Sequence, residues 1–181
     1  MSDFFTKTDL SRKDAESIIS ETLNNCDDGE LYLENSKSES IVLDDDKIKS
    51  SSYSSDLGYG LRAVTGEVVA YSHSNEISKK SLKQSANNLS STLKSQKGIY
   101  NHEIPQTNEK FYKDVNPIEE KSLQSKLDLL KEVNNYTRAK GGMVQQVTAS
   151  FAGEHKSIEI IRSGGEVLTD VRPLIRFNVS V

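Results

Sequence analysis

Few residues in this chain combine a type and a spacing suited to chemistry. His102-Glu103 looks like the start of a zinc-binding helix, in which two histidines one turn apart share a metal and a glutamate between them acts as base. No second histidine follows, however, and Pro105 breaks the helix that this geometry needs. The pair reads as part of a solvated loop. His73 at a strand end and His155 after a Gly-Glu turn have no cysteine or histidine at ligand spacing, so both read as surface residues. Asp44-Asp45-Asp46 lacks the alternating oxygen ligands, central glycine and closing glutamate of a calcium loop and reads as a hairpin turn. No serine, threonine or cysteine is tied to a base by a recognised spacing.

Two segments hold more promise. Gly58-Tyr59-Gly60-Leu61-Arg62 is not a phosphate loop, because it leads into a β-patterned run and not into a helix. Gly58, Gly60 and Arg62 fall on one face of a strand. Positions without side chains let a partner or peptide come close, or else mark sheet twist or a bulge. Arg62 either holds a carboxylate or is solvated. Asp170-Val171-Arg172-Pro173 places Asp170 and Arg172 on one face, and Pro173 marks a strand edge or a bend, with the bend favoured.

The elements that position these residues follow from hydrophobic periodicity. Ser11 caps a helix over 12–24 whose stripe is Ala15, Ile18, Ile19 and Leu23. From Glu30 to Tyr71 apolar and polar residues alternate in short runs, which predicts a β-meander. Its strands carry Leu31 and Leu33, then Ile41 and Leu43, then Ile48, then Leu57 to Val64, and a last one from Val68 to Tyr71. Ser78 caps a second helix with Leu82, Ala86, Leu89 and Leu93 on one face. Residues 98–117 lack a period, contain Pro105 and Pro117, and read as a loop. A third helix reaches Ala139, with Leu123, Leu127, Leu130, Val133 and Tyr136 as its stripe and Gly141-Gly142 as its stop. Four strands complete the pattern (144–152, 157–162, 166–171 and 174–181), with turns at Gly153-Glu154 and Ser163-Gly164-Gly165. The expected fold is α+β, a two-layer arrangement of antiparallel-rich sheet carrying about three amphipathic helices. The last strand places Ile175, Phe177, Val179 and Val181 on one side, a pattern written for burial that leaves a partner to be supplied.

Composition narrows the function classes. The chain has 181 residues, enough for one core, but only 34% are apolar, so that core is thin. The net charge is −4 with acidic and basic residues interspersed, so no broad positive surface is available for nucleic acid. A single cysteine, Cys26, fits a reducing compartment. No signal peptide or run of membrane-spanning length is present, and the expected location is the cytoplasm. From its residues alone the chain is a binding or assembly domain.

Several segments, in order, closely resemble the amino-terminal half of the TldD/PmbA family. They are Ser38 to Asp44, Gly58 to Val64 with Gly66-Glu67, Val147 to Ser150, and Asp170-Val171-Arg172-Pro173-Leu174-Ile175-Arg176. The Gly-x-Gly-x-Arg-Ala and Val-Arg-Pro-Leu-x-Arg segments are similar to the TldD branch, and the resemblance covers nearly the whole chain. It implies a cytoplasmic zinc-dependent peptidase system, once described as a modulator of DNA gyrase, in which TldD-type and PmbA-type subunits pair and enclose a proteolytic chamber. The family's metal-binding HExxxH motif belongs to its carboxy-terminal part. That motif does not occur in these 181 residues, so the resemblance gives them no catalytic, metal or cofactor role. The expectation is a TldD/PmbA-like amino-terminal domain over 1–181: helix and meander over 11–94, loop over 95–117, helix and strands over 118–181. It forms the chamber and the subunit contact, is truncated and inactive alone, and meets a PmbA-type or TldD-type subunit and unfolded peptide through Gly58, Gly60 and Arg62. The alternative is a stand-alone peptide-binding or partner-binding adaptor. A gyrase-linked DNA-binding factor is disfavoured by the charge.

Overall fold

The computed structural model describes residues 4–6, 8–93, 98–99 and 111–181. The order of elements is α1 (Arg12–Leu23), β1 (Asp28–Asp44), β2 (Lys47–Thr65), β3 (Val68–Ser74), α2 (Lys79–Thr92), α3 (Leu123–Arg138), β4 (Thr148–Arg162) and β5 (Val167–Ser180). Among the described residues the strands make one antiparallel sheet in the order β3-β2-β1-β4-β5, which with three helices gives the expected α+β class. The chain divides into two compact units. Unit 1 comprises Met1–Asn35, Asp56–Phe111 and Ser157–Asp170, and unit 2 comprises Ser36–Ser55, Tyr112–Lys156 and Val171–Val181.

The strands are fewer and longer than the hydrophobic runs suggest. β1 and β2 run unbroken through the serine-rich stretches because those stretches pair with each other. Ser38 and Ser54 share a hydroxyl hydrogen bond at 2.8 Å, as do Ser40 and Ser52 at 3.2 Å. A strand exposed to water on both faces loses its alternation but keeps its ladder, so periodicity cannot detect it. Gly153-Glu154 likewise is no turn but the middle of β4. A side chain at Gly153 would meet Ile118 and Ile175 at 3.1 and 3.2 Å, so the glycine lets those two side chains cross the strand. Pro173 does not interrupt β5 either. β5 is the edge of the sheet, the position in which a strand tolerates proline. The two-residue turn at Asp45-Asp46 has positive φ at both positions (48° and 64°), the backbone of a type I′ hairpin.

In unit 1 the helices cover one sheet face. Ser11 caps α1, its Oγ accepting from the Asp14 amide at 3.1 Å and donating to the Asp14 carboxylate at 2.8 Å. Ser78 caps α2 in the same way through the Ser81 amide. Ile18, Ile19 and Leu23 of α1 and Leu82 and Leu89 of α2 bury against Leu31, Leu33, Leu61 and Ala63 of the sheet. Cys26 is buried in this core as a free thiol. Ser85 is also buried on α2, and Tyr59 Oη bridges to Ser81 and Ser85 at 2.8 and 2.9 Å.

Unit 2 has a thinner core: Ile41, Leu43, Leu130, Ala149 and Phe151, flanked by Leu127 and Val133. Here the sequence-based stripe of α3 needs correction. The buried residues are Lys126, Leu130 and Asn134, whereas Leu123 and Tyr136 are exposed. Glu39 lies on the core face of β1 beside Ile41, and its carboxylate draws Lys126 inward. Lys126 Nζ pairs with Glu39, donates to the Ile118 carbonyl at 2.6 Å and lies 5.5 Å from the Phe151 ring centroid. The helix therefore turns its i, i+4, i+8 row of 126, 130 and 134 to the sheet, and Lys140 caps the exposed Tyr136 ring at 4.0 Å.

Candidate functional site

The alternation of β2 sends Tyr59, Leu61 and Ala63 to the helices, and so turns Gly58, Gly60 and Arg62 to the opposite face of unit 1. β1 contributes Asp28, Glu30, Tyr32 and Glu34 to that face by the same alternation. β3 pairs antiparallel with β2 in a register that sets Arg62 opposite Tyr71 and Gly60 opposite His73, so Tyr71 and His73 stand on it as well. The three residues singled out from sequence are thus brought together, among neighbours that the sequence did not indicate.

Each has its own surroundings. A Cβ at Gly60 would lie 2.6 Å from Tyr71 Oη, because the Tyr71 ring leans across that position. A Cβ at Gly58 would lie 2.8 Å from the Ser74 carbonyl, so there the close approach is that of β3's own backbone. Neither glycine is needed for a positive φ, and packing alone explains both. Arg62 holds carboxylates: Nη2 donates to Asp28 at 2.6 Å and Nε to Glu30 at 3.3 Å. Burial pulls down its tendency to stay protonated, but the two carboxylates outweigh this and leave its pKa raised. Asp28 also pairs with Arg162 from β4. Tyr71 stacks on His73 with centroids 5.7 Å apart, and Tyr71 is 64% exposed.

Other chemistry-bearing residues lie elsewhere. His155 is buried on the core face of β4 in unit 2, which corrects its reading as a surface residue after a turn. It points inward because the strand continues through 153–154. Burial lowers its pKa, opposed by Asp114, whose Oδ1 is 3.9 Å away. Asp44 and Asp45 do more than close a hairpin. Asp44 accepts from Gln146, Thr148 and Lys49 and is held at a pKa of about 2, and Asp45 receives Arg138 and the Val147 amide. Apart from Lys49, the partners that create these roles lie about a hundred residues away, so local sequence carries little sign of them. His102 and Glu103 lie outside the described residues. Among the described residues no group of three or more His, Cys, Asp or Glu is placed to hold a metal ion. No helix among the described residues is long and apolar enough to cross a membrane.

Comparison with known proteins gives the relationships. Residues 29–92 match the family model described as PmbA/TldA metallopeptidase domain 1, and residues 116–181 match the PmbA/TldA metallopeptidase central domain. The chain is 35% identical over 156 residues to a metalloprotease TldD homolog of Buchnera aphidicola subsp. Acyrthosiphon pisum, a match covering 86% of this chain and 32% of that protein. It is 31% identical over 178 residues to the homolog of Buchnera aphidicola subsp. Schizaphis graminum, covering 97% of this chain and 37% of that one. The chain spans about a third of the length of these curated relatives. Among solved structures, a candidate modulator of DNA gyrase from Bacteroides thetaiotaomicron shares the fold with a TM-score of 0.69 at 18% identity, over 93% of this chain and 40% of that one. TldE from Thermococcus kodakarensis shares it with a TM-score of 0.58 at 13% identity, over 92% and 42%. With two consecutive domain models of one family matching in order over more than half of its residues, the chain belongs to the TldD/PmbA family.

Proposed function

We propose that these residues form the amino-terminal, chamber-forming and subunit-contact part of a cytoplasmic TldD-like zinc metallopeptidase that acts on unfolded peptides. The supporting observation is the succession of the family's first and central domains along the chain, together with identity above 30% to TldD homologs that are about three times as long. In this reading 1–181 make one amino-terminal architectural block. The zinc, its ligands and the general base come from outside these residues, so the 181-residue chain alone has no peptidase activity. Gly58, Gly60 and Arg62 belong to the surface that meets peptide or the PmbA-type subunit.

The test has two arms. The purified chain is assayed for cleavage of unstructured peptides across a zinc titration, and metal-dependent turnover would overturn the inactive-alone reading. It is also mixed with a PmbA-type subunit and passed over a size-exclusion column. A joint peak is expected, and separate elution at tens of micromolar would remove the subunit-contact role.

A further inference from the structure

β2 extends well beyond the reach of its outer neighbour. β3 pairs with it from Tyr59 to Thr65, inside unit 1, whereas Lys47–Ser55 lies in unit 2. There β1 lines one side, and among the described residues no strand lines the other. Every residue of Lys47–Ser55 is exposed. In an antiparallel strand alternate residues turn their N–H and C=O away from the partner, so this segment shows a row of backbone donors and acceptors to water. Proteins blunt such edges with proline, bulges or charge. β5, the other edge of the sheet in unit 2, carries Arg172, Pro173 and Arg176. Ser50–Ser55 carries no charge, proline or glycine. The Ser52 and Ser54 hydroxyls bond to Ser40 and Ser38 of β1, which keeps them out of competition for the outward backbone groups.

The dimensions of this edge choose its occupant. Lys47–Ser55 is about 30 Å long, and with a sheet thickness of about 10 Å it offers roughly 300 Å² to a partner. Two rigid surfaces meeting there, such as two copies of this chain, bury roughly 600 Å² in total, about half of what the smallest stable interfaces bury. An extended peptide needs no matching rigid surface, because main-chain hydrogen bonds supply its hold. Tyr53, 57% exposed, is the one large side chain of Ser50–Ser55, and the serines on both faces form no pockets that select side chains. We propose that Lys47–Ser55 binds an extended peptide as an added strand, weakly and with little regard to its sequence. The proposal rests on the reading that this chain meets unfolded peptide, and adds to it a contact made by backbone.

The experiment titrates two capped heptapeptides, one of alternating threonine and valine and one of alternating serine and leucine, into the isotope-labelled 181-residue chain and follows amide chemical shifts. Both should move the amides of Ile48–Ser54, with affinities within about tenfold of each other, the spread that a few cross-strand side-chain pairs produce. N-methylation of the two central amides, which blocks both edges of the peptide, should weaken binding about tenfold or more. Ser51→Pro and Ser52→Pro are then compared. Adjacent residues turn their N–H to opposite sides, so one substitution removes a bond to β1 and the other blocks the edge. The variant that keeps the wild-type amide spectrum outside 47–55 should lose the peptide. Binding retained by that variant, or by the N-methylated peptide, would overturn the added strand. Shifts at Gly58 and Gly60 in place of Ile48–Ser54 would overturn this site while leaving the peptide reading standing, and no shift anywhere would overturn both. Movement of the Ile48–Ser54 amides on concentrating the chain without peptide would make a second copy the occupant and sink the proposal.

Discussion

The buried pair between Lys126 and Glu39 makes a sharp quantitative claim about unit 2. Lys126 is 6% exposed and its partner 11%. The ammonium has two further supports, the Ile118 carbonyl and the Phe151 ring, and neither carries a full negative charge. Glu39→Gln keeps the shape but leaves Lys126 as a buried cation without a counter-charge. Removing one partner of such a pair costs about 3–5 kcal/mol, whereas replacing both by apolar groups of similar volume is often neutral or stabilising. With a urea m-value of about 2 kcal/mol/M, the single substitution should lower the unfolding midpoint by about 1.5 M or more. Lys126→Met with Glu39→Leu should recover most of that loss. The measurement is urea unfolding followed by circular dichroism and tyrosine fluorescence, on wild type, both single variants and the double. A shift below about 0.5 M for Glu39→Gln, or a double variant worse than either single, would refute the argument that charge compensation holds this helix in its rotated setting.

Three further outcomes are expected. Arg12 reaches the 2%-exposed Glu159 with Nη1 2.6 Å from Oε1 and Nη2 donating to Oε2 at 2.8 Å, so Arg12→Ala strands a buried carboxylate; thermal melts should show it costing more stability than Arg12→Ala made together with Glu159→Gln. The pKa of Asp44 is lowered from 3.8 to about 2, so its contribution is fully present above about pH 4 and lost as pH falls toward 2; Asp44→Asn should flatten that acid limb of the stability curve, and an unchanged limb would sink the assignment. The pKa of His155 is also lowered, from 6.5, but protonation here favours the unfolded chain, so stability should decline as pH falls below about 6.5; His155→Gln should remove part of the decline between pH 7 and pH 5 in urea midpoints.

The sequence of this protein determined a good deal. The helix caps at Ser11 and Ser78, the stripes of α1 and α2, the hairpin turn at Asp45-Asp46 and the family relationship are local or ordered patterns, and each is held by interactions within a few residues or by a motif that survives in one dimension. Lengths and facings of the strands were not legible. Serine pairs across β1 and β2 replaced the apolar alternation that marks a strand, and Gly153 and Pro173 look like breaks until the crossing side chains of Ile118 and Ile175 and the edge position of β5 are known. Lys126 turned α3 because of a carboxylate 87 residues earlier in the chain, and His155 was buried by a strand that did not stop. For the candidate site, the period of two placed Gly58, Gly60 and Arg62 on one face. Only pairing with β1 and β3 decided what stands beside them: Asp28 and Glu30 that occupy Arg62, and Tyr32, Glu34 and Tyr71 around the glycines. A face is a property of one strand and can be read along it, but a cleft is a property of neighbouring strands in register, and that exists only once the sheet has formed.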